Sequence, residues 1–122
     1  MRILFATFLV LNLLVEALAS VSLIAGPNGL AAAGSGGMWS MHYGFAAFAI
    51  ASASLWAWPQ RHNPSAVTAM LGLFATFHTG LFISLTAAGD QQAGMVIHAV
   101  LAALAITLFA LRGRITGTPA PA

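Results

Sequence analysis

Four ionisable side chains lie within long apolar stretches of the sequence: Glu16, His42, His78 and His98. An ionisable group inside a bilayer is energetically costly and is usually functional. A carboxyl and imidazoles at such depth can carry protons or bind a ligand, and imidazole also suits iron. These four residues, with Asn12, therefore form the candidate site.

Glu16 lies near the middle of the first apolar stretch, about 20 Å from its start at ~1.5 Å per residue. Asn12, Glu16 and Ser20 are spaced four apart, which places them on one helix face. A carboxylate at this depth must be neutral, paired or hydrated. Glu16 and Asn12 are thus a predicted proton or ligand site, and the alternative is a hydrogen-bonded structural glutamate.

The three histidines lie in different apolar stretches, in the middle or outer half of the predicted helices. If their faces point inward, they converge with Glu16. Two of them could ligate haem or another tetrapyrrole, either His42 with His98 or His78 with His98. In a second interpretation, Glu16 and a histidine form a quinone or proton site. In a third, each histidine only hydrogen-bonds a neighbouring helix. A zinc or copper site is the weakest interpretation because each histidine is alone on its helix, so we assign no metal ligand.

The elements that position these residues follow from the composition. Of 122 residues, 5% are charged and 60% are hydrophobic, and the mean hydropathy is +0.92. A soluble domain this small needs more polar surface. Residues 17–60, 62–89 and 91–111 contain no formal charge, and about 20 apolar residues span a bilayer as a helix. The sequence predicts an integral membrane protein that contacts the lipid bilayer and, without a basic patch, no nucleic acid.

Breaker clusters separate four helices, which together form one all-α domain, residues 1–112. We predict that this domain is an antiparallel transmembrane four-helix bundle. The first helix resembles a signal peptide up to residue 19, but its apolar run continues, so we expect it to be retained. The predicted helices cover about 3–25, 38–58, 65–87 and 93–112, and a flexible tail covers 113–122.

The arginines predict the topology. Arg2, Arg61, Arg112 and Arg114 all fall on one side of a four-helix chain, and the positive-inside rule makes that side cytoplasmic. Both termini are then cytoplasmic, whereas Asp90 and the 26–37 loop face outward. We expect a multi-pass protein of a bacterial inner membrane.

Small residues form stripes on two helices. Gly72, Thr76 and Gly80 lie on one face of the third helix, and Gly94 precedes His98 by four on a small-residue face of the fourth. Such stripes favour close helix packing, either within the chain or against another subunit. His78 lies away from the stripe of its own helix.

The layout resembles the DoxX-like family of small four-helix membrane proteins. The shared features are the chain length, a first helix ending in Gly-Pro (26–27), a Tyr-Gly pair (43–44) and an early histidine in the fourth helix, His98. His42 stands where the family often has arginine. The resemblance implies a membrane accessory to redox chemistry, sometimes linked to quinone reduction.

A narrower resemblance covers residues 14–17 (LVEA), which look like the first helix of small multidrug resistance transporters. It implies that Glu16 exchanges protons for a cation. The tyrosine and tryptophan of that family's third helix are absent from residues 74–78 (FATFH).

Three functions remain open from the sequence. The first is an accessory or cofactor-binding subunit of a redox or photosynthetic membrane complex, with haem, another tetrapyrrole or quinone at the Glu/His site. The second is a proton-coupled small transporter that uses Glu16. The third is a structural assembly subunit that contacts other membrane subunits or itself. No nucleophile–base pair is visible, so we assign no catalytic residue and do not expect a stand-alone enzyme.

Overall fold

A computed structural model describes residues 1–27, 38–89 and 91–117, without the side chains of residues 38 and 39. These residues form helices and no strand. The helices are α1 (Arg2–Ala25), α2 (Met38–Ala57), α3 (Pro64–Ala88), α4 (Gln92–Ala110) and the short α5 (Gly113–Thr116). The prediction of an all-helical chain is confirmed, and the four long helices begin and end close to their expected positions.

Among the described residues, three helices are long and apolar enough to cross a membrane: α1, α3 and α4. The chain therefore has the character of a membrane protein, and its apolar helices are compatible with lipid contact. The 20-residue α2 is not in this group. Its sequence includes Ser40, His42, Tyr43, Ser52 and Ser54, and these polar side chains reduce its hydropathy.

The chain divides into two compact units, one of Met1–Phe8 with Ala57–Ala122 and the other of Leu9–Trp56. We call them the α3–α4 unit and the α1–α2 unit. In the α1–α2 unit, Asn12 meets Ile50 and Ser54. Gly44 lies against Leu23 and Ile24, because a Cβ on Gly44 would come within 2.7 Å of Ile24 Cγ1. As position numbers rise along α1 they fall along α2, so these two helices are antiparallel.

In the α3–α4 unit, α3 begins at a proline preceded by an N-cap. Asn63 accepts hydrogen bonds from the backbone N–H groups of Ser65 and Ala66, which supplies partners for two otherwise unbonded donors. The helix ends at Gly89 with φ +74°, a left-handed conformation that glycine adopts without steric cost. The short connection returns the chain as α4, antiparallel to α3.

The interior face of α3 is not its small-residue stripe. Its buried residues are Val67, Leu71, Phe74 and His78. Thr76 and Gly80 are exposed, and a Cβ at Gly80 would touch nothing within 4 Å. Of the two alternatives for this stripe, packing within the chain does not apply at these two positions, because the larger aromatic face buries more apolar surface. On α4 the predicted face is the interior one, with His98, Ala102 and Ala105 buried.

The segment that we predict to be a flexible tail begins with an ordered turn. Ile115 of α5 is fully buried, and its carbonyl accepts a hydrogen bond from Arg2 Nε at 3.1 Å. Gly117, at φ +78°, ends this turn. The sequence signal that the flexible-tail interpretation overlooked is one isoleucine, Ile115, within a stretch of polar and small residues. Residues 118–122, Asp90 and most of the predicted outer loop (28–37) lie outside the described residues.

Candidate functional site

Two of the predicted site residues meet in the α3–α4 unit. His78 of α3 and His98 of α4 are both buried. Their Nδ1 atoms are 3.0 Å apart, and their rings stack with centroids 5.3 Å apart at an interplanar angle of 28°. The antiparallel pairing of α3 and α4 produces this contact. It brings the helix turn after Phe74, which carries His78, next to the helix turn after Gly94, which carries His98.

The short Nδ1–Nδ1 distance restricts where the protons are. One ring must carry its proton on Nδ1 and donate, while the other accepts with a bare Nδ1. If both rings are neutral, the acceptor ring therefore carries its own proton on Nε2, and the donor ring has a bare Nε2. The two histidines then hold opposite tautomers, which is the arrangement of a two-ring proton relay.

Aromatic rings fix the orientation of the pair. Phe8 of α1 meets His78 edge-on, with centroids 6.4 Å apart, and also packs edge-on against Phe74 at 5.3 Å. Phe77 meets His78 at 5.3 Å and His98 at 6.4 Å, again edge-on. Phe77 is half-buried, so a single ring that contacts both imidazoles also reaches the outer surface of the unit.

The α1–α2 unit holds the other three predicted site residues, Asn12, Glu16 and His42. Asn12, Glu16 and Ser20 are all buried, as their four-residue spacing predicts. Asn12 Nδ2 donates to the carbonyl oxygen of Ile50 at 3.1 Å and to Ser54 Oγ at 2.8 Å. Asn12 thus ties α1 to α2 one turn before the buried carboxyl of Glu16.

Tyr43 of α2 interacts electrostatically with Glu16. In the α1–α2 unit, the buried carboxyl of Glu16 interacts with the phenol of Tyr43 and lies one helix turn from the amide of Asn12. Such groups can exchange protons or bind a polar ligand. The sequence interpretation treated Tyr43 only as part of a family likeness and assigned no polar role to Ser54. The sequence signal for Ser54 was its polar side chain in a helix that consists largely of small residues.

The third candidate histidine has a different setting. His42 is exposed on α2, next to the half-buried Tyr43. Its role as a cofactor ligand stays a prediction.

Comparison with known proteins adds no neighbour: no protein-family model, curated protein or solved structure matches the chain. The resemblances to DoxX-like proteins and to small multidrug resistance transporters thus stay predictions. Functional inference depends on the two polar groups described above.

Proposed function

We propose that this chain is a small accessory subunit of a membrane redox complex, in which the His78–His98 pair carries protons beside a quinone-class cofactor. The observation that supports this proposal is the buried Nδ1–Nδ1 contact of 3.0 Å between α3 and α4. Reduction of a quinone takes up two electrons and two protons. A site that serves it inside a bilayer needs groups able to deliver protons through apolar surroundings.

The pair can relay a proton through a transient imidazolium and end the transfer neutral. A proton that binds the bare Nε2 of the donor ring allows the Nδ1 proton to cross to the second ring, which then releases its Nε2 proton. Each ring ends in the other tautomer, and no net charge stays on the pair. In this second state the pair can carry a proton only in the reverse direction, so repeated transfer in one direction requires both rings to return to their first tautomers.

Quinone fits the pair better than a tetrapyrrole held between these two rings. In a haem with two histidine ligands the macrocycle lies between the imidazoles, with each ligand nitrogen about 2 Å from the metal. Nδ1 atoms 3.0 Å apart in direct contact leave no space for a macrocycle, so haem ligation would require the rings to part. A quinone can approach from the lipid side at Phe77 and leave the pair intact.

Quinone binding tests the proposal. Short-chain benzoquinone and naphthoquinone quench the fluorescence of the three tryptophans, so titration of the reconstituted protein gives a Kd. We expect His78→Ala and His98→Ala to raise Kd about tenfold each, the value of one hydrogen bond. His62→Ala, at an exposed loop residue, is the control. Equal Kd values in all variants would remove the quinone proposal.

An absorption spectrum of the purified protein tests the haem alternative. A Soret band that disappears in His98→Ala would replace quinone by haem as the cofactor of this site.

A second candidate function is a proton-coupled transporter that uses Glu16. The observation that favours it is the fully buried carboxyl in the middle of α1. Glu16→Gln should abolish proton-coupled flux in liposomes, while Glu16→Asp should retain part of it because the carboxyl is kept. Unchanged flux in Glu16→Gln would eliminate this function.

The third candidate is a purely structural subunit. It predicts that Glu16→Gln and His98→Ala leave the activity of the host complex intact, whereas a large side chain at Gly44 or Ala102 prevents assembly. Co-purification of partner subunits from the native membrane distinguishes it from the first two functions.

The proposed topology has four spanning helices in an antiparallel bundle, with both termini in the cytoplasm of a bacterial cell. The distribution of Arg2, Arg61, Arg112 and Arg114 supports it. Fusion of a reporter that is active only in the cytoplasm should give signal at residue 122 and none at residue 90. Signal at both positions would contradict the proposed topology.

A further inference from the structure

We propose that Arg2, Arg61, Arg112 and Arg114 form a binding surface for the phosphate groups of anionic phospholipids. We call these four residues the arginine end. They include every lysine and arginine of the chain, and all four belong to the α3–α4 unit. This proposal is independent of the function of the histidine pair.

Contacts within the unit bring the four arginines to the same end. Arg2 Nε donates to the carbonyl oxygen of Ile115, which joins the N-terminus to α5, between Arg112 and Gly117. α5 contacts α3, and Gly72 of α3 faces Phe109 near the end of α4. The start of α3, preceded by Arg61, therefore lies at the end where α4 finishes.

Two arginines are held by the same arrangement at two helix ends. The guanidinium carbon of Arg61 lies 4.5 Å from the centre of the Trp58 ring, and Arg61 Nη1 donates to the Trp58 carbonyl at 3.1 Å. Arg112 lies 4.7 Å from the Phe109 ring centre, and its Nη1 donates to the Phe109 carbonyl at 2.8 Å. In each case the arginine folds over the aromatic residue three positions earlier.

This arrangement holds the cation in place and uses few of its donors. A guanidinium has five N–H groups, and the carbonyl contact uses one of them. The ring and the carbonyl restrict the side chain, so less conformational entropy is lost when a ligand binds. Planar guanidinium groups with spare N–H donors are suited to phosphate oxygens.

Within the part of the chain that the structure describes, no acidic side chain is paired with the arginine end. The sequence contains two acidic residues: Glu16 is buried in α1, and Asp90 lies outside the described residues. No salt bridge to an arginine is present among residues 1–27, 38–89 and 91–117. A binding partner that supplies negative charge is therefore favoured.

The position of this surface favours lipid as that partner. It lies at the ends of helices whose outer faces are apolar, with Val100 and Ile106 of α4 exposed. Trp58, 44% exposed, has the amphipathic ring typical of the membrane–water interface. Arginine clusters next to spanning helices bind anionic headgroups.

Lipid retention in nanodiscs tests the proposal. The full chain is reconstituted in a mixture of phosphatidylcholine and phosphatidylglycerol, extracted gently and analysed by native mass spectrometry for the bound phosphatidylglycerol-to-phosphatidylcholine ratio. We expect a loss of about fivefold in this preference for each arginine replaced by glutamine, hence about 25-fold for Arg61→Gln with Arg112→Gln. His62→Gln, next to Arg61, leaves all four arginines in place and should change nothing.

Two variants of Arg114 and competition by added salts extend the test. Arg114 is exposed, so Arg114→Gln tests the charge without disturbing the fold, and Arg114→Lys should restore the preference. Retention should also fall with added chloride. An unchanged ratio in Arg114→Gln and in the double variant would overturn the proposal. The proposal would also be overturned if inorganic phosphate displaced more lipid than chloride does at equal ionic strength. The surface would then bind phosphate ions.

Discussion

At the scale of the residue, the central feature is a hydrogen bond between two imidazoles in an apolar interior. Each ring satisfies the other, so removal of one leaves a buried polar group with a lost partner. The structure brings His78 and His98 together because one buried turn of α3 faces one buried turn of α4. The sequence offered His78 with His98 as one of two candidate pairs, but it could not choose between them because each histidine is alone on its helix.

A double-mutant cycle measures this interaction. We expect His78→Phe and His98→Leu each to reduce the free energy of unfolding by about 1–3 kcal/mol. The double variant should cost less than the sum of the two, with a coupling energy of at least ~0.5 kcal/mol. Unfolding of the detergent-solubilised protein in SDS gives the values. Additive effects would mean that the rings do not interact.

Asn12 gives a second residue-scale prediction, in the α1–α2 unit. Ser54→Ala removes an acceptor of the Asn12 amide and should reduce the free energy of unfolding by about 1 kcal/mol. Ser52→Ala is the matched control, because Ser52 is two positions away, half-buried, and bonded only to the carbonyl of Ala49 in its own helix. The same SDS titration compares the two; equal effects would contradict a role for the Asn12–Ser54 bond.

At the scale of the element, the helices are predictable and their orientations are less so. Long uncharged runs, Pro64 and Gly89 fix where α3 begins and ends, because these signals are local. The face that α3 buries depends on what α1 and α4 present to it. Phe74 and His78 are inside for that reason, while the small residues Thr76 and Gly80 are outside.

Two glycines test the distinction between a packed and an open helix face. Gly44→Ala places a Cβ within 2.7 Å of Ile24 Cγ1 and 3.1 Å of Leu23 Cβ, so we expect a loss of about 1–3 kcal/mol from overpacking. Gly80→Ala has open space and should stabilise α3 by about 0.5–1 kcal/mol. Thermal unfolding of both variants measures the effects, and a stabilising Gly44→Ala would contradict the close approach of α1 and α2.

At the scale of the whole molecule, composition alone predicted a helical membrane protein, and the structure agrees for α1, α3 and α4. The sequence also predicted that Glu16 and Asn12 share a buried face, because helix geometry dictates it. It did not predict the ordered turn at Ile115 or the paired arrangement of Arg61 and Arg112, since both depend on contacts between distant or separately folded segments.

The ordered turn also makes a prediction about the molecule as a whole. Ile115→Ser removes the buried side chain that holds α5, and we expect a loss of about 1–3 kcal/mol together with faster proteolysis after residue 112. Limited proteolysis in nanodiscs measures it. Cleavage of the unaltered protein at the same rate would show that α5 is not docked.

Nitrogen NMR of the protein labelled with ¹⁵N-histidine in nanodiscs tests the histidine pair most directly. We predict opposite neutral tautomers for His78 and His98, with scalar coupling across the Nδ1–H···Nδ1 hydrogen bond that disappears in His98→Ala. The same tautomer in both rings, or no coupling between them, would contradict the proton-relay pair on which the proposed function rests.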